Sequence, residues 1–175
     1  MADRAPGEGR YAHDERERRF LLRSVPPHLS PGTRITDRYL DGTTLRLRRV
    51  EGPDGVVDKL TQKVRPDPGD PRVVRITNLY LPPGEHEVLR ALPGHELVKV
   101  RHRWEVAGRT FAVDAFAGPL EGLVLAEVEV DGDDEVLAPV GAVADVSADD
   151  RFSGGALASA GDDFVAMVVR PMLAG

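Results

Sequence analysis

The stretch DERERRFLLRSVP, residues 14–26, sets Glu15, Glu17 and Arg19 at every second position. A β-strand turns alternate side chains to one face. As a strand, the segment therefore carries two carboxylates and a guanidinium side by side. Two readings fit such a face: solvated decoration, or a cation held between the carboxylates.

Working outward, the same alternation recurs. Short runs of alternating apolar and polar residues appear at TTLRLRRV (43–50), DKLTQKV (58–64), RVVRITNLYL (72–81), ELVKVRHRWEV (96–106), RTFAVDAF (109–116) and LVLAEVEV (123–130). EGPDG, RPDPGDP, VAGR, AGPLEG and DGDD punctuate them as turns. Many short strands joined by tight turns predict a mostly β chain whose antiparallel sheet is closed or strongly curved. Helical signals are fewer. PPGEHEVLRAL (82–92) has an N-terminal Pro and helical spacing of Val88, Leu89 and Leu92. SGGALASA (153–160) reads as a short helix, and FVAMVVRPML (164–173) as either a last strand or a docked tail. Residues 1–10 read as a loose leader ahead of a single domain spanning 11–175.

Composition bounds the function. The chain has 175 residues, 41% hydrophobic, with a formal charge of −6 and no cysteine. That suits one domain with a sizeable core. A net acidic chain does not suit generic duplex-DNA binding. Without cysteine there is neither a disulfide framework nor a thiolate metal site. No apolar run approaches a transmembrane length, and the first residues do not read as a signal peptide, so the expected location is the cytoplasm, with no membrane partner. Whether the chain is a monomer or a homodimer stays open.

The charged faces share a further property. Arg46 and Arg48 fall on one face of their run; Lys99, Arg101 and Arg103 on another; Lys59, Thr61 and Lys63 on a third. Glu127 and Glu129 repeat the pattern of Glu15 and Glu17. Apart from Arg19, each face carries charge of one sign. An ordinary half-exposed strand explains any one of these runs. Five together point to faces that converge on a ligand. A closed barrel turns alternate residues inward. So many buried cations need an anion, and acidic pairs beside them need a hard cation such as Mg²⁺. A metal-bound polyphosphate satisfies both.

These residues resemble the CYTH domain, the triphosphate tunnel metalloenzymes. Glu15-Arg16-Glu17-Arg18-Arg19 resembles the family's N-terminal E-x-E-x-K strand. LRLRR, KLTQK, VRHRW, VDAF, LAEVEV and DDRFSGGALA follow in the family's order, over about residues 11–158. The resemblance implies a closed eight-stranded antiparallel β-barrel with a few external helices. It also implies a triphosphate bound in the tunnel with Mg²⁺ or Mn²⁺. Glu15, Glu17, Asp114, Glu127 and Glu129 would ligate the metal; Arg19, Arg46, Arg48, Lys63, Arg101 and Arg103 would grip the phosphates. Glu127, Glu129, Lys63 and Tyr39 would serve catalysis, Tyr39 and Lys63 as a candidate base pair. The implied activity is hydrolysis, of inorganic tripolyphosphate first, with nucleoside or thiamine triphosphate as further substrates. A class IV-type adenylate cyclase and a non-catalytic polyphosphate or nucleotide binder are the alternatives. Two departures stand out: Arg19 replaces the usual Lys, and RITNLYL offers Thr77, Leu79 and Leu81 where many members carry acids. Lys59 reads equally as an outward, solvated lysine. Arg16, Arg18, Trp104 and the five histidines read as lying outside the site.

Overall fold

A computed structural model describes residues 5–132 and 136–175. The strands are β1 (His13–Leu22), β2 (Thr33–Leu40), β3 (Leu45–Gly52), β4 (Gly55–Val64), β5 (Val73–Leu81), β6 (Gly94–Val106), β7 (Arg109–Phe116), β8 (Val124–Glu129) and β9 (Ala142–Asp145). Strands β5, β4, β3, β2, β6, β7, β8 and β1 neighbour one another in that order, and β1 returns to β5, which closes an eight-stranded antiparallel barrel. The seam is short. His13–Arg16 of β1 pair with β5, and the same edge of β1 then pairs with β9 from Phe20 onward. β9 is thus an extra strand laid on β1.

Every run expected as a strand is one. The segment TRITDRYL, now β2, was not among them, nor was the four-residue β9. Ala107 and Gly108 turn the β6–β7 hairpin with φ of 50° and 74°. Positive φ at both central residues is the mark of the tight turn that matches strand twist. Helix α1 (Pro83–Arg90) and helix α2 (Gly154–Ala158) appear where expected. The 164–173 segment is helical, a π turn over Val165–Val169 running into α3 (Arg170–Ala174). No helix among the described residues is long and apolar enough to cross a membrane.

The face that α1 buries is not the one its apolar spacing marks. Its buried side chain is His86, while Val88 and Leu92 are exposed. The 3.6-residue period was real, but the barrel wall beneath α1 presents Arg49 and Asp58, which receive the imidazole instead. Of the leader, residues 1–4 lie outside the described residues. Gly7 is buried, and its N–H donates to Gln62 Oε1 at 3.1 Å.

Register decides which side chains meet. Arg19 lies opposite Glu127, Arg46 opposite Thr61, Arg48 opposite Lys59, and Arg101 opposite Asp114. Opposed residues share a face, so the charged faces of all these strands turn inward together. The alternate residues Phe20, Leu22, Phe111, Val113, Ala126 and Val128 form an apolar cluster on the outer face, where Trp104 packs. At one end of the barrel the inward side chains become apolar. Leu21, Leu97, Phe116 and Leu125 pack there with Phe152 and Leu157 from the α2 region and with Val165 and Val169. That plug leaves the polar interior to the rest of the barrel.

Candidate functional site

Two cavities of about 270 and 500 Å³ occupy the polar interior, and both are lined by Glu15 and Glu17. The smaller continues past Arg19, Tyr39, Arg46 and Lys63 to a rim formed by Thr43, Thr44, Arg65, Arg72 and residues 153–155 at the start of α2. The larger continues past Arg101, Glu127 and Glu129 to a rim with Ser30, Arg103 and Thr110.

Strand alternation places the basic wall on β3 and β4. Arg46 and Arg48 are buried. Arg48 donates to both oxygens of Asp37, at 2.5 and 2.7 Å. Asp37 is 0% exposed. Burial alone would raise its carboxyl, but Arg48, Arg46 and Lys99 hold it far below the usual carboxylate range. Arg46 Nη2 donates to Thr61 Oγ1 at 3.1 Å, and Thr61 in turn donates to Asn78 Oδ1 at 2.7 Å. Arg46 Nε is buried and has no hydrogen-bond partner among the described residues. Asp37 Oδ1 lies 3.6 Å away, close enough for an ion pair but too far for a hydrogen bond; a buried donor with no hydrogen bond is costly, and an anion beside it would satisfy it. Lys63 is pushed down to about 8 by burial and by Arg46, against the pull of Glu17. Lys59 pairs with Arg48 across β3 and β4 and is half-buried, and burial, Arg48 and Arg46 lower its ammonium. Tyr39 is pushed up to about 12 by burial and by Asp37.

The acidic wall lies on β1 and β8. Glu127 Oε1 accepts from Arg19 Nε at 2.8 Å, and Oε2 accepts from Arg101 Nη2 at 2.7 Å. Burial would raise Glu127, but Arg19, Lys99 and Arg101 hold it well below its ordinary value. Glu17 moves the other way, raised by the neighbouring Glu127 charge and by burial. Its side chain nonetheless keeps about a third of its surface open, so this crowded carboxylate pair faces the cavity.

Not every expected residue takes its expected place. Asp114 is 0% exposed and lines neither cavity. Lys99 Nζ reaches it at 2.5 Å, and Arg101 at 2.7 and 2.6 Å. It sits behind the cations and aims them. Arg103 stands on the rim, mostly exposed, and donates to Glu105 at 2.7 Å. On β5 the inward set is the other face: Asn78 opposes Thr61, Ile76 opposes Lys63 and Tyr80 opposes Lys59. Thr77, Leu79 and Leu81 point away, and the inward face also lacks an acid. Arg16 and Arg18 face out, near Asp70 and Asp145. His102 Nδ1 lies 2.9 Å from the Ser30 carbonyl oxygen, on the outer side of β6.

Sequence reasoning missed Asp37 and the Tyr39–Gly154 contact. Asp37 alternates with Ile35 and Tyr39 in TRITDRYL, which is signal enough for a strand. A Cβ at Gly154 would lie 2.1 Å from Tyr39 Oη and 3.1 Å from Cζ. The first turn of α2 therefore rests directly on the phenol. Gly154→Ala is expected to destabilise the fold by about 1–3 kcal/mol, the usual scale of overpacking. Urea denaturation checks this; an unchanged midpoint would mean that the phenol moves aside freely.

Among the described residues no three acidic or histidine side chains gather closely enough to hold a metal ion by themselves. Glu15, Glu17, Glu127 and Glu129 do line one cavity. They are the hard oxygen donors that Mg²⁺ and Mn²⁺ take, and Mg²⁺ commonly completes its shell with substrate phosphates. The donor set fits such an ion if the phosphates supply further oxygens.

Fold and interior together define a class: a closed β-barrel whose cavities are lined by basic and acidic side chains together. Comparison with protein-family profiles and with curated protein sequences gives no match. Among similar solved structures are two of the protein NE1496. One is described as a hypothetical protein, with a TM-score of 0.60 and 25% identity over 84% of this chain and 99% of that one. The other is described as the inorganic triphosphatase NE1496, with a TM-score of 0.58 and 24% identity over 83% and 95%.

Proposed function

We propose that this chain is a CYTH-type triphosphate tunnel enzyme that hydrolyses triphosphates, inorganic tripolyphosphate first, with Mg²⁺ or Mn²⁺. The observation that carries the reading is the convergence of basic and acidic side chains from separate strands on one barrel interior. Arg46 of β3 and Lys63 of β4 line one cavity, with Arg48 and Lys59 paired on the same two strands; Glu15 and Glu17 of β1 line both cavities, and Glu127 and Glu129 at β8 the other. A phosphate chain suits the basic side chains and a divalent ion the acidic ones. The likeness to the inorganic triphosphatase NE1496 supports the same reading.

In this reading the two cavities form one tunnel that meets at Glu15 and Glu17. Arg46 offers to a phosphate oxygen an Nε that makes no hydrogen bond among the described residues, while Thr61, itself bonded to Asn78, holds its Nη2. Arg48 is oriented by Asp37, and Arg101 by Asp114. Phosphoryl transfer needs mostly positioning and charge stabilisation, and fixed cations in a partly dry cavity supply both. Glu15, Glu17, Glu127 and Glu129 would hold the divalent ion, which would supply charge neutralisation for the phosphate oxygens. Tyr39, raised to about 12, keeps its proton near neutrality and acts there as a donor. Lys63, near 8, is the group of that pair able to change protonation.

The test is incubation with tripolyphosphate, ATP or thiamine triphosphate, each with Mg²⁺ or Mn²⁺, while orthophosphate, pyrophosphate and cyclic AMP are measured. Orthophosphate release is expected, fastest from tripolyphosphate. Cyclic AMP with pyrophosphate would replace hydrolysis by cyclisation. Thermal stabilisation by these anions without turnover would make the protein a binder, a reading favoured by the acid-free strand RITNLYL.

Lys63 adds a pH signature. Below about 8 its ammonium is charged in the free protein; above, binding a polyanion must first take up a proton. Tripolyphosphate affinity is therefore expected to fall as pH rises through 8, by up to about tenfold per pH unit for one linked proton. The Lys63→Met chain should lack this component. Identical pH profiles for the two chains, by calorimetric titration, would remove Lys63 from the phosphate site.

A further inference from the structure

We propose that Glu127 serves the phosphate-free protein as an internal stand-in for phosphate. Its carboxylate occupies Arg19 and Arg101, and the cation site of the glutamate wall is completed only when a polyphosphate takes those two guanidiniums over. This deepens the triphosphate reading above and rests on it.

The geometry is that of a bridge. Each oxygen of Glu127 accepts from a different guanidinium, Arg19 Nε at 2.8 Å and Arg101 Nη2 at 2.7 Å. Both contacts are charge-assisted hydrogen bonds, the strong kind. A carboxylate so clasped offers a divalent ion only its remaining lone pairs, with two positive charges next to them. Arg19 also reaches Glu17 Oε2 at 3.4 Å, so the second carboxylate of the wall shares the same guanidinium. Arg101 is held in this direction from behind, because Asp114 engages both its Nε and its Nη2. The two cations are therefore aimed at one point of the cavity, and that point is filled by a side chain of the protein.

Phosphate oxygens bind guanidinium in the same forked geometry and carry more charge. Once a polyphosphate occupies Arg19 and Arg101, Glu17 and Glu127 become two adjacent carboxylates with their counter-charge withdrawn. Like charges side by side in a partly buried site favour an added cation. Phosphate and divalent ion thus strengthen each other's binding, and by linkage the gain is the same in both directions. The protein without phosphate should be a poor metal binder, which agrees with the lack of a self-sufficient three-ligand cluster among the described residues.

The experiment titrates tripolyphosphate calorimetrically into the metal-free protein with EDTA present, using wild type, Glu127→Gln and Glu129→Gln. Glu129 lines the same cavity, so its variant measures the effect of removing one negative charge. Glu127→Gln should bind metal-free tripolyphosphate about tenfold or more tighter than wild type, within the usual range of site coupling, and clearly tighter than Glu129→Gln. Equal gains in the two variants would overturn the proposal. Circular dichroism checks folding. A second measurement stands if Glu127→Gln does not fold: Mn²⁺ binding to phosphate-free protein by electron paramagnetic resonance. Wild type should bind weakly and Arg19→Met more tightly; tight binding by wild type, unimproved in Arg19→Met, would also overturn it. Neither readout is turnover. A protein that shows the exchange yet hydrolyses nothing would refute the enzyme reading alone, and one that hydrolyses tripolyphosphate without the exchange would refute this inference alone.

Discussion

Arg46→Met is expected to lower orthophosphate release from tripolyphosphate by about 10²–10³, the usual loss for one preorganised electrostatic contact. The reason is local. Arg46 is buried, and its Nε makes no hydrogen bond among the described residues, the nearest carboxylate being Asp37 at 3.6 Å, while Thr61 ties Nη2 in place. Such a donor is already aimed and already desolvated, so it does not have to be rearranged when charge develops on a phosphate oxygen. Methionine keeps much of the volume and loses the charge. Arg103→Met is the internal comparison. Arg103 is mostly exposed on the rim and bonded to Glu105, and exposed pairs of this kind contribute only about 0.2–1 kcal/mol. Its loss should change the rate by no more than a few-fold. Steady-state release of orthophosphate from both variants decides the matter. Equal losses would mean that the chain of phosphates lies toward the rim with Glu129 and Thr110 rather than against β3.

The contrast between these two arginines also marks how far the sequence could be read. Period-2 alternation told which residues share a face, and the like-charged faces of β1, β3, β4, β6 and β8 were enough to imply a closed barrel with a charged interior. Alternation does not tell how far along the barrel a residue sits. Arg101 and Arg103 share a face of β6, yet Arg101 is clasped between Asp114 and Glu127 while Arg103 has reached the rim. That difference comes from register and shear, set by pairings such as Arg101 with Asp114 and Arg19 with Glu127. Nor could sequence alone say which face of β5 turns inward. Leu79 and Tyr80 are both exposed apolar residues, so hydrophobicity does not distinguish them, and only the pairing of Asn78 with Thr61 resolves it. β2 escaped notice for a related reason. Its inward face is Ile35, Asp37 and Tyr39, one apolar, one acidic and one aromatic, with no repeated charge to stand out. The C-terminal segment from Val165 is apolar enough for strand or helix, and its packing on Leu21, Leu125 and Phe152 decides the matter.

The residue hidden in β2 carries the largest expected effect on stability. Asp37→Ala should lower the unfolding free energy by about 3–5 kcal/mol, the scale for removing one partner of a buried ion pair. Asp37 has no exposed surface, gives both oxygens to Arg48, and lies 3.6 Å from Arg46 Nε. Its removal leaves two guanidiniums, with Lys59 opposite one of them and Lys99 nearby, without their shared counter-charge. The basic wall therefore stands, in the absence of phosphate, because one buried carboxylate holds it, much as Glu127 holds Arg19 and Arg101 across the cavity. A polyphosphate should replace that missing charge. Tripolyphosphate is accordingly expected to raise the unfolding midpoint of Asp37→Ala by more than it raises that of wild type. Urea denaturation with and without the anion measures both terms. A loss well below 1 kcal/mol, or equal stabilisation of the two chains by tripolyphosphate, would mean that water already screens Arg46 and Arg48, and that the interior of the barrel is an open, hydrated channel rather than a charge-balanced site built around an anion.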